Sequence, residues 1–288
     1  MSKVIVYQGE PGAFSHLACQ SFYPDHEACP CVSFAAAFDA VKSGEAALAM
    51  IPVDNTVAGR VSDIYHLLPE GGLSIIGENY LPVHHQLLAV PGAKLSDIKI
   101  ARSHTMALGQ VRKRLKDMDI TPVVDVDTAG AARAVAELGD PSVAAIASTL
   151  AGETYGLEVL AADIEDATHN TTRFLVLSGQ AQVPSQSSGP VVTSFVFKVR
   201  SVPSALYKAL GGFATNGINI TKLESYMVGG SFTAAQFYAD VEGHPDDPAM
   251  QHAMEELAFF TESVVHLGTY PAHALRVSSG PSQTGDTV

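Results

Sequence analysis

The sequence has no tryptophan, three cysteines among 288 residues, and few charges, with Asp, Glu, Lys and Arg making up 16%. So small and odd a cysteine count (Cys19, Cys29, Cys31), with no CxxC spacing, excludes a disulfide framework and a zinc knuckle. It points instead to reduced thiols in a reducing compartment. Cations are scarcer still. There are 17 Lys and Arg against 30 Asp and Glu, a formal charge of −13. A phosphate backbone would find no basic face here, which argues against nucleic acid as a partner. No apolar run reaches the roughly 18 residues a membrane helix needs. The opening MSKVIVYQGEPG has no basic stretch, long apolar run and small-residue cleavage site. The expectation is a cytoplasmic protein with no membrane partner.

What the chain has is apolar material, 47% of its residues with a mean hydropathy of +0.16. That is ample for packed cores, and at about 100–200 residues per domain it implies two domains. From residue 4 to about 180, short β-branched or aliphatic runs (4–7, 46–51, 73–76, 86–90, 99–101, 123–126, 143–147, 159–162, 174–177) alternate with segments of helical period. Val57, Val61, Ile64 and Leu68 share one helical face, as do Leu108, Val111, Leu115 and Met118. This is an α/β pattern around a mostly parallel sheet. One doubly wound domain and two α/β lobes facing a cleft, crossing near 82 and 167, both satisfy it.

The stretch AQVPSQSSGP at 181–190 is rich in Ser, Pro and Gln and reads as a linker. Beyond it the order is strand 191–199, helix 204–215 with Ser204 as N-cap, strand 218–227, a Gly229-Gly230 turn, strand 231–241, helix 247–260 and strand 264–269. That βαββαβ order is the ferredoxin-like plan, spanning 191–275. Residues 276–288 offer nothing to bury and read as a disordered tail.

Four expected strand–helix junctions gather the residues that leave backbone N–H groups free for an anion. They are Gly9-Glu10-Pro11-Gly12 with Ser15, Asp54-Asn55-Thr56 with Gly59, Ser103-His104-Thr105 ahead of Gln110, and Asp127-Thr128-Ala129-Gly130. Helix starts call for such residues whatever the function, so no single junction identifies a site. GEPG is not GxGxxG, and no GxxxxGK[ST] occurs. Asn170-Thr171-Thr172-Arg173-Phe174 opens a strand and holds the only Arg between Arg133 and Arg200. That Arg either meets a carboxylate in a fork or caps a loop and pairs with Asp166. His84 and His85 alternate along a strand and cannot share one ligand, and His104 sits at a helix start that disfavours its cation, so no metal is expected.

Taken in order, YQGEPGAFS (7–15), IPVDNTVAG (51–59), SHTMALGQ (103–110), TAGAA (128–132), AAIAS (144–148), YGL (155–157) and NTTRF (170–174) resemble the motifs of the prephenate dehydratase family, and the resemblance spans residues 4–271. It implies two lobes similar to periplasmic binding proteins over 1–180, followed by an ACT regulatory domain. It also implies conversion of prephenate to phenylpyruvate in phenylalanine biosynthesis, with no cofactor and no fused mutase domain. Carried over residue by residue, Thr172 assists departure of the ring hydroxyl. Arg173 meets a substrate carboxylate, and Phe174 supports the ring or packs the cleft. Asn55, Ser103 and Gln110 orient the substrate, and Thr56 with the helix start Thr128, Ala129, Gly130 and Ala131 contributes N–H groups. Asp54 replaces the family's usual Glu, and Ala13 a common Thr.

In the ACT-like segment, Pro203-Ser204-Ala205-Leu206 stands for the family's GAL motif and Leu223-Glu224-Ser225-Tyr226-Met227 for ESRP, without its Arg and Pro. The resemblance implies L-phenylalanine as effector, held by Ser204, Ala205, Leu206, Asn219, Glu224 and Ser225, in a homodimer or homotetramer joined through ACT domains. The alternatives are arogenate dehydratase or dual specificity, which LPVHHQLLAVPG (81–92) and DTAGAA (127–132) resemble, and a non-enzymatic amino-acid sensor.

Overall fold

Alternating apolar strands and amphipathic helices build three sheets among the described residues, which in this computed structural model are 3–227 and 236–278. The first lobe comprises β1 (Val4–Gln8), α1 (Phe14–Phe22), β2 (Glu27–Cys31), α2 (Phe34–Lys42), β3 (Leu48–Asn55), β4 (Gly59–Arg60), α3 (Ile64–Glu70) and β5 (Ser74–Pro82). A second lobe follows with β6 (Gln86–Ala89), β7 (Ile100–His104), α4 (Thr105–Gln110), α5 (Arg112–Asp117), β8 (Thr121–Asp125), α6 (Thr128–Leu138), β9 (Val143–Ala147), α7 (Thr149–Tyr155) and β10 (Glu158–Ala161). The chain then returns as β11 (Thr171–Ser178) to the first sheet, whose order is β2-β1-β3-β11-β5.

The second sheet, β10-β6-β9-β7-β8, shows why its strands read as unbroken apolar runs. Along β9, Ala144 and Ile146 enter one core with Leu87, Leu108, Val111 and Leu115. Val143, Ala145 and Ala147 enter another with Leu88, Ala132, Val135 and Ala151. A strand covered on both faces has no polar side to show. β7, β8 and β9 are parallel while β6 and β10 run antiparallel to their neighbours, so the sheet is mixed. Parallel pairing places the ends of β7 and β8, at His104 and Asp125, on one edge.

Two expectations fail locally. Val57 and Val61 are not helical. Asn55 Oδ1 accepts the N–H groups of Val57 and Ala58 at 2.9 and 2.7 Å, and this side-chain-to-backbone turn folds the chain back as the β3–β4 hairpin. Helix begins only at Ile64. β2, edge strand of its sheet, lacks a sequence signal because Glu27 and Pro30 interrupt its apolar pattern, as an edge position permits.

The C-terminal module consists of β12 (Val191–Val199), α8 (Ala205–Thr215), β13 (Ile220–Tyr226), β14 (Gln236–Glu242), α9 (Pro248–Phe260), β15 (Thr261–Pro271) and α10 (Ala274–Ser278). Its antiparallel sheet has the order β13-β14-β12-β15, the split βαββαβ arrangement. Phe195, Phe197, Phe213, Phe237 and Leu257 fill the core beneath both long helices. The expected Gly229-Gly230 turn and the first part of strand 231–241 lie outside the described residues. Ser204 stands at the helix start, but in a left-handed conformation (φ 61°) and without a side-chain cap bond.

Compact units do not follow chain order. One comprises 1–64 and 81–175, the other 65–80 and 176–288, so the strip 65–80 leaves the expected 1–180 domain and joins the C-terminal module. Its own side chains explain why. Tyr65 lies 5.3 Å from Tyr238, edge to face, and 6.3 Å from Tyr226. The backbone of Ile75 approaches Gly268 so closely that a Cβ there would overlap it. Glu78 Oε1 accepts from Arg276 Nε at 2.6 Å. The expected tail is corrected at its first residues by the same contact, because Arg276 lies in α10 and its guanidinium also reaches Asp240 Oδ2 (2.9 Å) and Thr221 Oγ1 (2.7 Å), while 279–288 lie outside the described residues. Residues 181–190 are exposed except Pro184. No helix among the described residues is long and apolar enough to cross a membrane.

Candidate active site

Within the first compact unit, the end of β3, the start of β11, the segment before β6 and the end of α4 meet in one hydrogen-bonded cluster. Its polarity follows from the backbone. Because Asn55 Oδ1 accepts two main-chain N–H groups, the other end of that amide must be the NH2. Its two protons go to Asn170 Oδ1 at 2.8 Å and Thr172 Oγ1 at 2.9 Å. Asn170 therefore turns its NH2 to Gln110 Oε1, 2.9 Å away. That oxygen also meets His85 Nε2 at 2.6 Å, so Nε2 carries a proton. The Thr172 oxygen is already an acceptor, which leaves its O–H free to donate. Gln110 has its oxygen taken twice, which leaves its NH2 without a partner among the described residues.

Neighbouring bonds hold this cluster in place. Thr56 Oγ1 donates to the His169 carbonyl (2.6 Å) and accepts the Thr171 N–H (2.9 Å), fastening β3 to β11. Val83 N–H donates to the Asn170 carbonyl at 2.9 Å. Glu165 accepts from the His85 N–H at 2.9 Å and meets His84 Nδ1 at 2.8 Å. His84, Asp163 and Glu165 thus bring ligand-type atoms within 4.8 Å, but both Glu165 oxygens are already engaged by protein groups. His85 is 2% exposed, and this burial pushes its pKa down and keeps the ring neutral.

The first loop joins the two lobes. Gly12 takes φ +89°, and a Cβ on it would lie 2.7 Å from Ala151 Cα. Its carbonyl accepts from Ser148 Oγ at 2.6 Å, and the Pro11 carbonyl accepts from the Tyr155 hydroxyl at 2.9 Å. Burial pushes the nearby Cys19 thiol up to about 12, an unreactive state.

Other expected site residues fall elsewhere. Ser103 is wholly buried and donates to the Ile146 carbonyl at 2.6 Å, tying β7 to β9 instead of facing a ligand. Arg173 alternates away from Thr172 along β11 and lies 3.5 Å from Asp54 Oδ2, so the structure does not bring guanidinium and hydroxyl together. Asp166, the other partner considered for Arg173, instead accepts the N–H groups of Lys113 and Arg114 at the start of α5. Phe174, 1% exposed, packs in the core and is not available to face a substrate ring. At the start of α6, Asp127 Oδ1 takes the Gly130 N–H (2.7 Å) and its carbonyl takes that of Ala131. Only the Thr128 and Ala129 N–H groups remain for an anion. His104 Nδ1 accepts from Met106 N–H at 3.3 Å, so this ring caps the start of α4.

Sequence reasoning passed over Asn170 and His85. Asn170 has no role in the sequence beyond its place in NTTRF, and His85 reads there only as one of two histidines alternating along a strand. Their alternation was itself the signal, since one of two adjacent histidines had to point inward.

A family model described as Prephenate dehydratase matches residues 5–182. A relative from Komagataeibacter europaeus, named as a bifunctional N-acyl-homoserine lactone acylase/prephenate dehydratase, is 49% identical over 275 residues, covering 95% of this chain and 98% of that one. An Arabidopsis thaliana protein named arogenate dehydratase/prephenate dehydratase 1, chloroplastic, is 39% identical over 96% of this chain and 74% of its own. The solved structure of an Arthrobacter aurescens prephenate dehydratase in complex with L-Phe superposes with a TM-score of 0.85 at 31% identity, covering 93% of this chain and 90% of that one.

Proposed function

Because the chain belongs to the prephenate dehydratase family of lyases, we propose that it converts prephenate to phenylpyruvate with Thr172 as the donor that assists loss of the ring hydroxyl. The carrying observation is the direction of the Asn55–Thr172 hydrogen bond. With its oxygen accepting from Asn55, the threonine keeps its only proton free to donate. In the reaction the ring carboxylate leaves as CO2 and its electron pair enters the ring, while the hydroxyl takes up one proton and leaves as water. Prephenate dianion plus a proton thus gives phenylpyruvate anion, CO2 and water, and no cofactor enters the balance. Threonine is a weak acid, so Thr172 stabilises the departing oxygen by hydrogen bonding while solvent supplies the net proton. Gln110's free NH2 and the Thr128 and Ala129 N–H groups suit the anionic substrate.

Replacing Thr172 by Ala should lower kcat by about 10²–10⁴-fold, the range of lost acid assistance. KM should stay within a few-fold and circular dichroism should be unaltered. An unchanged kcat would remove Thr172 from the mechanism.

The plant relative's name supports a second reading, turnover of arogenate, whose side chain carries an amine in place of the keto group. Parallel assays on both substrates separate the two. The Komagataeibacter relative's name supports testing an acyl-homoserine lactone as well. For the C-terminal module the reading is an ACT-type domain that takes L-phenylalanine, supported by the Arthrobacter complex. A cavity of about 610 Å³ lies against Ser204, Ala205 and Leu206, with Phe237 and Lys198 also lining it. Asn219 and Glu224 are engaged elsewhere, with Glu242 (3.1 Å) and Lys222 (3.1 Å). Feedback requires phenylalanine to favour the less active state. Activity that stays flat to millimolar phenylalanine would contradict it.

A further inference from the structure

We propose that His85 is a positioning residue for the elimination: its Nε2–H locks the Gln110 amide with the NH2 facing the substrate anion. This rests on the reading of the cluster as the dehydratase site. Free of such a lock, an amide turns over easily, and the reversed form would offer an oxygen to a dianion, which is repulsive. Two donors converge on Gln110 Oε1, from His85 at 2.6 Å and from Asn170 at 2.9 Å, and both must be broken to turn it.

The state of the imidazole supports the role. Nδ1 of His85 is buried and has no hydrogen-bond partner. A buried unpaired acceptor works against stability, and a leucine at 85 would avoid it, so folding alone gives no reason for histidine there. What the ring supplies that leucine cannot is the single Nε2–H. Its backbone is held as well, by Glu165 at the N–H and by the Ile164 N–H at the carbonyl, and the Phe14 ring stands edge-on at 5.4 Å. Position and tautomer are therefore both set before substrate arrives.

The experiment has two arms on the full-length chain. Nitrogen-15 spectra of the histidine rings in the folded wild type should show one neutral ring with a protonated Nε2 and a bare Nδ1, which the variant His85→Gln removes. Finding Nδ1 protonated instead overturns the proposal without any kinetic assay. Steady-state kinetics on prephenate should then show kcat/KM about tenfold lower for His85→Leu, mainly through KM, with His85→Gln recovering most of it because its amide also donates. In a Gln110→Leu background, His85→Leu should change kcat/KM less than twofold, because the group it positions is gone. Equal effects of His85→Leu in both backgrounds, or wild-type kinetics in the single variant, overturn the proposal. Loss of activity in Thr172→Ala tests the underlying reading separately, through kcat and not KM.

Discussion

Asn55 Oδ1 sets the direction of four hydrogen bonds by accepting two backbone N–H groups. The variant Asn55→Asp keeps that acceptor but loses both donors, so the Thr172 hydroxyl turns its proton inward toward the new carboxylate. Kinetics and melting of the purified variant should show kcat about 100-fold lower at nearly unchanged Tm, since the turn survives while the charge-assisted bond now competes with substrate. A parallel loss of Tm would instead make Asn55 structural. Of this cluster the sequence revealed the motif residues Asn55, Gln110 and Thr172. It hid Arg173's orientation, because which neighbour a strand residue faces depends on the opposite strand, here the one carrying Asp54. Buried histidines carry a second residue-scale consequence. Burial lowers the pKa of His16, His85 and His266 from the ordinary 6.5. Across that window the unfolded chain binds more protons than the folded one, so their stabilising share is complete above about pH 6.5 and is lost as pH falls through the lowered values. Tm should drop between about pH 7 and about pH 5.5, and a flat or rising Tm contradicts this.

At the scale of elements, the Gly9–Gly12 loop shows why the sequence motif and its role differ. In the sequence its N–H groups are candidates for an anion, but Gly9 donates to the Cys31 carbonyl and Gly12 to His16 Nδ1, while its carbonyls accept from Ser148 and Tyr155, which come from α7 and its cap. Gly12 is required there by both backbone angle and space, so Gly12→Ala should destabilise the first compact unit by about 1–3 kcal/mol, as overpacking does, in denaturant titrations. A shift below about 0.5 kcal/mol would mean that the loop yields freely. The start of α6 tells a similar story. Asp127 is an N-cap, as sequence preference suggests, and in capping it takes the Gly130 N–H otherwise offered to a ligand. Strands were legible where a bounded apolar run was nearly continuous, as in β9 and β12. They were not legible at 55–61, where one side-chain turn overrode a plausible helical face.

For the whole molecule, the notable departure is that 65–80 belongs with residues far along the chain. Nothing local in that strip announces it, because its partners Tyr226, Tyr238, Gly268 and Arg276 are distant in sequence. Arg276 separates two buried carboxylates, Glu78 and Asp240, and the latter also accepts from Ser194 Oγ and the Tyr238 hydroxyl, each at 2.5 Å. Replacing Arg276 by Ala leaves both acids without it, and the expected loss is about 3–5 kcal/mol, read by chemical denaturation. Adding Glu78→Gln should recover part of it, whereas additive losses would show that the pair is not coupled.

Synthesis on the ribosome gives this arrangement a timetable. Residues 65–80 emerge early, and although Tyr65 gains Tyr226 and Tyr238 first, Ile75 and Glu78 wait for Gly268 and Arg276 until the last strand and the arginine after it have been made. A nascent chain halted before residue 261 would therefore lack both the close packing of Gly268 on Ile75 and the guanidinium that meets Glu78, and a gene fusion that exchanged only 176–288 would inherit half of a packed unit.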